Sequence, residues 1–233
     1  MLEIDTGMHR CGVDTPHEAV SLASAISGMR NVRLVGIMTY AGHAHDELST
    51  AFVRQVGQWA TAKLLDIAEA LDKADLPIAI ISGGSTLTSE AALSIQGLTE
   101  IRPGTYIFND LRTEEAGSCT RSQIAATVLT TVISRPSKDR LVLDAGSKTL
   151  TPTHLATFHY GISQQYPDLR VVRLSEEHGI RSVNPGNPLR IGDRIEIYPA
   201  HICVVINMQR TVYLRNGNAI VGEMPIDAAL ASR

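Results

Sequence analysis

Apolar residues fall in short blocks along the first half of the 233-residue chain, and each block precedes a stretch with helical spacing. "LEID" opens as a strand. "DTPHEAVSLASAISGM" then predicts a helix with Thr15 as N-cap, Pro16 in the first turn and Glu18 closing a capping box. "VRLVGIMTYAG" reads as a strand running into a glycine loop. "ELSTAFVRQVGQWATAKLLDIAEALDKA" predicts a long amphipathic helix with Phe52, Val56, Trp59, the Lys63 stem and Ile67 near one face. "PIAIIS" is a continuous apolar run of the kind buried on both faces. "STLTSEAALSI" opens another helix at Ser85 or Thr86, and "LTEIRPGTYIFND" ends the series as a strand and turn. The order β-α-β-α-β-α-β implies parallel strands with right-handed crossovers.

The texture changes near "RTEEAGSCTRS", which places a boundary between residues 1–117 and 118–233. Beyond it, "QIAATVLTTVIS", "DRLVLDAG", "LRVVRLS", "GDRIEIYP", "ICVVINM" and "TVYLRNGNAIVGEM" are strand-like runs punctuated by Gly, Pro, Asn and Asp. "RNGN" is a hairpin signal. The second half is expected to be an antiparallel β-domain.

A net charge of −3 offers no electrostatic case for nucleic acid or acidic membranes. Scarce aromatics, 4% of the chain, argue further against a base-stacking platform. The apolar runs are too short and too interrupted for a membrane span. Three widely spaced cysteines make no disulfide framework, and the N-terminus reads as no signal peptide, so a reducing, cytoplasmic setting is expected.

In parallel β/α architectures the reactive groups stand on loops after the strands. Here those loops are well stocked. "DTGMHRCG" carries Arg10, and "YAGHAH" carries Tyr40, His43 and His45. "SGGST" offers Gly83, Gly84 and Ser85 directly before a helix, a pattern that suits an anion. "RPGTY" adds Gly104, Thr105 and Tyr106. Two glycine turns on adjacent strand ends favour one phosphate group, and a cofactor with one phosphate and an aromatic ring, pyridoxal 5′-phosphate, fits them. In the second half, "IYPAHIC" reads as a strand end that puts His201 and Cys203 on the same side, as a metal pair requires. Blander readings stand beside each of these: a capped helix with a flexible lead-in, a surface ion pair at Arg10, a packing residue at Tyr40, and a half-buried cysteine beside a chance histidine.

Taken in order, "EIDTGMHRCGV", "GIMTYAGHAH", "ISGGSTLT", "EIRPGTYIFND", "LDAGSKTL", "SEEHG" and "GDRIEIYPAHIC" resemble the D-threonine aldolase and D-serine dehydratase family. These are pyridoxal-phosphate enzymes of the alanine racemase-like fold type, and the resemblance runs from residue 2 to about residue 228. It implies the last four β/α units of a TIM-type barrel followed by an antiparallel β-domain, usually in a homodimer. It implies that Arg10 faces the cofactor's phenolic oxygen and that Tyr40 packs beside the ring. The phosphate would be held by Gly83, Gly84, Ser85, Gly104, Thr105 and Tyr106. His201 and Cys203 would bind a divalent ion, zinc by donor type and manganese on family grounds.

The implied reaction is lysis of a small D-3-hydroxy amino acid, as an aldolase or a dehydratase. His43, His45 and His178 are candidates for proton transfer. Family members tether the cofactor through a lysine on the first barrel strand. The lysines here are Lys63, Lys73, Lys138 and Lys148, and none is expected at the end of a parallel strand. The expectation is therefore an N-terminally truncated chain, incomplete as a catalyst. The alternatives are a non-catalytic fragment that binds phosphate or metal or pairs with another half-barrel, and, more weakly, an amino-acid racemase.

Overall fold

A computed structural model describes residues 1–153, 159–182, 184 and 186–231. It divides into two compact units, one formed by residues 1–106 with 115–118, the other by residues 107–114 with those from 119 onward. Among the described residues, no helix is long and apolar enough to cross a membrane.

The first unit contains strand β1 (Leu2–Glu3), helix α1 (Pro16–Ser27), β2 (Gly36–Met38), α2 (Thr50–Lys73), β3 (Ile80–Gly83), α3 (Ser89–Leu93) and β4 (Glu100–Ile101). Its strands form one parallel sheet in the order β1-β2-β3-β4. The helix starts are chemically explicit. At α1 the Thr15 hydroxyl accepts the Glu18 N–H at 3.2 Å, and the Glu18 carboxylate accepts the Thr15 N–H at 3.0 Å. At α2 the Ser49 hydroxyl accepts the Phe52 N–H.

The face that α2 buries runs through Val53, Val56, Gly57, Ala60, Thr61, Leu64, Ile67 and Leu71. The stripe expected through Phe52 and Trp59 is thus rotated. Trp59 stays half exposed, with the Lys63 ammonium 5.4 Å above its ring. Leu64, Ile67 and Leu71 pack with Leu2, Ile4, Ala19, Ala23 and Ile37 into the core of this unit. Gly57 lets α3 lie close, since a Cβ there would sit 2.8 Å from that of Ala91.

Helix α4 (Leu111–Glu115) marks the passage between units. The second unit continues with β5 (Val128–Ser137), β6 (Arg140–Leu143), α5 (Ser147–Leu150), β7 (Gly161–Ser163), β8 (Arg170–Val171), β9 (Arg173–Leu174), β10 (Gly179–Ser182), β11 (Arg194–Pro199), α6 (Ile202–Asn207), β12 (Thr211–Asn216) and β13 (Ala219–Pro225). Strands β8-β7-β11-β5-β6-β10-β9 form an antiparallel sheet over a core that includes Val132, Leu141, Leu143, Leu169, Val171, Ile195 and Ile197. The hairpin expected at "RNGN" is β12–β13, with Gly217 in the left-handed region, and it stands as a separate two-stranded ribbon.

One expected strand is a helix. "ICVVINM" forms α6, because the chain turns after Pro199 and the Asp110 carboxylate accepts the Ile202 N–H at 2.9 Å. That bond answers one of the orphan donors of a first helical turn.

Candidate active site groups

In the first unit the loops after β1 and β2 meet. The guanidinium of Arg10 lies 5.4 Å from the centre of the Tyr40 ring, within cation–π range, although Arg10 itself is exposed. Gly42 leaves room here, since a Cβ would come within 2.6 Å of both Met8 Sδ and the Tyr40 ring and would push one of those side chains aside. His43 and His45 lie on the 3₁₀ turn Gly42–His45. The His43 ring stands edge-on to Trp59 with centroids 6.4 Å apart, and its buried Nδ1 has no hydrogen-bond partner among the described residues.

The two glycine turns are tied to one another. The Thr86 hydroxyl accepts the N–H groups of Gly104 at 3.2 Å and Tyr106 at 3.3 Å. Thr88 accepts the Ser85 N–H at 2.9 Å. The segment after Gly84 is first a turn, and α3 starts only at Ser89 with five residues. Donors expected to stand free at a helix start are therefore answered by neighbouring hydroxyls, and so short a helix supplies little dipole. Gly84 has φ +70°, which glycine takes without strain. A Cβ on Gly104 would meet no atom within 4 Å, so the turn is open there. Thr105 lies between these residues and Tyr106 is exposed.

Arg102, at the head of the second turn, reaches back over the strand ends. Its guanidinium donates to the Ser82 hydroxyl and, at 2.5 Å, to the Thr39 carbonyl. It thereby links the residue before Gly83 to the residue before Tyr40. The Thr39 hydroxyl is bonded to that of Thr6 at 2.7 Å, which draws in the end of β1.

In the second unit His201 caps the start of α6 in extended conformation, and Cys203 follows inside the first turn. The two are not on a strand, yet the Cys203 side chain lies near enough to His201 to raise its imidazole. On its other side His201 Nδ1 meets Asp110 Oδ2 at 3.1 Å. Asp110 is fully buried, and its Oδ1 accepts the Thr113 N–H at 2.8 Å. Burial pushes this carboxyl up, but the bonds from His201, Ile202 and Thr113 outweigh it and hold the group below its usual range. The hydrogen bonds to Asp110 and then to Cys203 raise His201 to about 9. Cys203 is exposed. An imidazole and an open thiol in contact fit a divalent ion of the zinc type. Among the described residues no cluster of three or more His, Cys, Asp or Glu completes a metal cage.

His178 is exposed in the turn between β9 and β10, where its carbonyl accepts the Ser175 N–H. Of the lysines, Lys63 pairs with Asp14, Lys73 with Glu69 and Lys148 with Glu177, and Lys138 sits between β5 and β6. None stands at the carboxyl end of a parallel strand. The glycine turns, the Arg10–Tyr40 pair and the imidazole–thiol pair are thus present, the turns with their Ser85, Gly104 and Tyr106 amides bonded to hydroxyls of the same turns, while an imine-forming amine at the end of a parallel strand is not found among the described residues. Sequence reasoning passed over Thr86, Thr88, Arg102 and Asp110. Each lay inside a quoted motif, but only folding reveals its partner.

A parallel β/α unit followed by an antiparallel β unit is the layout of the alanine racemase-like fold, and the comparisons agree. The family described as "Alanine racemase, N-terminal domain" matches residues 1–111, and the "Putative serine dehydratase domain" matches residues 125–215. The chain is a relative of the D-threonine aldolase and D-serine dehydratase family. It is 32% identical to the D-threo-3-hydroxyaspartate dehydratase of Delftia sp. (strain HT23), covering 87% of this chain and 58% of that one. It is 27% identical to the D-threonine aldolase of Arthrobacter sp., covering 93% and 57%. A solved structure of a D-threo-3-hydroxyaspartate dehydratase cysteine-to-alanine mutant, in its metal-free form, superposes with a TM-score of 0.82 at 27% identity, covering 96% and 64%. The chain spans just under three fifths of the length of these two curated relatives.

Proposed function

We propose that this chain supplies the phosphate-binding and metal-binding groups of a pyridoxal-phosphate-dependent lyase acting on D-3-hydroxy amino acids. The observation that carries the reading is the placement of His201 and Cys203 together at the start of α6, with His201 Nδ1 held 3.1 Å from Asp110 Oδ2. In the first unit Gly83, Gly84, Ser85, Gly104, Thr105 and Tyr106 would hold the cofactor phosphate, with Arg10 and Tyr40 at the ring. The cofactor, when bound, supplies an electron sink for bonds at the substrate's α-carbon. In the second unit His201 and Cys203 would hold zinc, and a metal ion acts on the substrate hydroxyl as a Lewis acid. Polarising that hydroxyl serves either its departure, as in a dehydratase, or its deprotonation, as in an aldolase. The 32% match to a dehydratase favours the first.

The amine that anchors the cofactor is not among the four lysines described above. His43, His45 and His178 remain the candidates for proton transfer. A homodimer in the cytoplasm goes with this reading, in keeping with three unbridged cysteines.

The test is titration of pyridoxal phosphate and zinc into the full chain, followed by incubation with D-threonine, D-serine and D-threo-3-hydroxyaspartate. Saturable binding of both is expected, with zinc binding lost in His201→Ala and Cys203→Ala. Any turnover, with an added amine or a complementing chain, is expected to release keto acid and ammonia. Release of glycine and an aldehyde would make it an aldolase. Failure to bind either zinc or the cofactor would sink the proposal.

A further inference from the structure

The second unit holds a carboxylate whose placement the metal pair alone does not explain. Asp110 has no exposed surface, and both its oxygens accept from the main chain: Oδ2 takes the Ile202 N–H at 2.9 Å and meets His201 Nδ1 at 3.1 Å, while Oδ1 takes the Thr113 N–H at 2.8 Å. An oxygen already placed as acceptor to a backbone N–H meets the ring as an acceptor too, so Nδ1 faces it as the donor. That leaves Nε2 as the ring atom that can turn to a metal ion. The same oxygen binds the backbone immediately after the imidazole, so ring and main chain are fixed against one anchor. The anchor is itself clamped. The Asp110 N–H donates to the Thr113 hydroxyl at 2.8 Å, that hydroxyl donates to the Asp110 carbonyl at 2.7 Å, and the Thr113 N–H donates to Oδ1. Thr113 also lies 3.4 Å from Cys119 Sγ.

We propose that Asp110 is a positioning residue for the metal ligand His201: it selects the Nδ1-protonated tautomer and presents Nε2 to the ion. The inference rests on the metal reading above and deepens it. Outer partners of this kind orient a ligand and raise its basicity, and their loss costs about 10–100-fold in metal affinity. In Asp110→Asn an amide nitrogen at the Oδ2 position cannot accept from Nδ1, so the ring takes the other tautomer. If the amide turns round instead, its nitrogen faces the Thr113 N–H.

The experiment uses the full chain. Zinc affinity is measured by competition with a chromogenic chelator for wild type, Asp110→Asn and Thr113→Ala. Thermal unfolding of each metal-free protein is recorded alongside. Asp110→Asn is expected to bind zinc about 10–100-fold more weakly. Thr113→Ala loosens the same turn without touching His201 and is expected to stay within about twofold of wild type. Equal affinity in wild type and Asp110→Asn overturns the proposal and leaves the metal pair standing. Equal losses in both variants also overturn it, since the role would then be structural only. Absence of zinc binding in wild type removes the metal reading itself, and this inference with it. A second readout needs no variant. Nitrogen-15 spectra of the wild-type His201 ring with zinc bound are expected to show a protonated Nδ1 and a metal-bound Nε2, and an unprotonated Nδ1 overturns the proposal even if Asp110→Asn does not fold.

Discussion

His159 gives the sharpest stability test of the second unit. It is 3% exposed, and its Nδ1 has no partner among the described residues. Burial first, then the nearby charges of Arg170 and Arg121, lower it from an ordinary 6.5 to about 4. The native protein therefore excludes a proton that the unfolded chain takes up. Stability is fully present above 6.5, is lost as the pH falls toward 4, and levels off below that. Across the whole window the loss is about 3 kcal/mol, a large share of the net stability of an ordinary domain. Carboxylates contribute only lower down, because unfolded Asp and Glu titrate near pH 4.

The assay is urea unfolding of the metal-free chain at about pH 7, 6 and 5. Over that range wild type should lose about 2 kcal/mol more than His159→Gln, in which every other titrating group is unchanged. His201 works in the opposite sense on the alkaline side. Raised to about 9, it favours the folded state fully below 6.5 and loses that contribution as the pH climbs through 9. The metal-free unit should therefore be most stable near neutrality. Zinc should flatten the alkaline arm, since a metal-bound imidazole no longer titrates in that range. Parallel pH profiles for wild type and His159→Gln would refute the reasoning.

Two further outcomes concern the first unit. Leu64→Ala removes a fully buried side chain from the core against β1 and β2 and should cost about 2–5 kcal/mol in urea unfolding, with the cofactor absent. Gly84→Val forces a β-branched residue to φ +70° and puts its Cβ 3.1 Å from Ile101. It should destabilise by about 1–3 kcal/mol and weaken binding of pyridoxal phosphate measured by fluorescence quenching.

The features legible in the sequence were those whose cause lies within a few residues. Thr15, Pro16 and Glu18 set the start of α1 by themselves, because a capping box spans a single turn. The period of the apolar residues located α2, β3, β5, β6 and β11, and "RNGN" located the β12–β13 turn. The glycine-bearing loops and the H-x-C pair were visible as motifs, and so was the family.

Tertiary structure decided the rest, because the deciding contacts join residues far apart in the chain. Local pattern made "ICVVINM" a strand, but the carboxylate of Asp110, 92 residues before Ile202, caps it as a helix. Trp59 fits the helical stripe by spacing, yet α2 turns the face through Ala60, Leu64 and Ile67 to the sheet and leaves the indole outside. Arg102 reads as a turn residue until its guanidinium is seen on Thr39, 63 positions away. A hydrophobic period specifies which face is buried. It carries no information on which distant acceptor a buried donor will find, and the chemistry of these sites depends on those pairings.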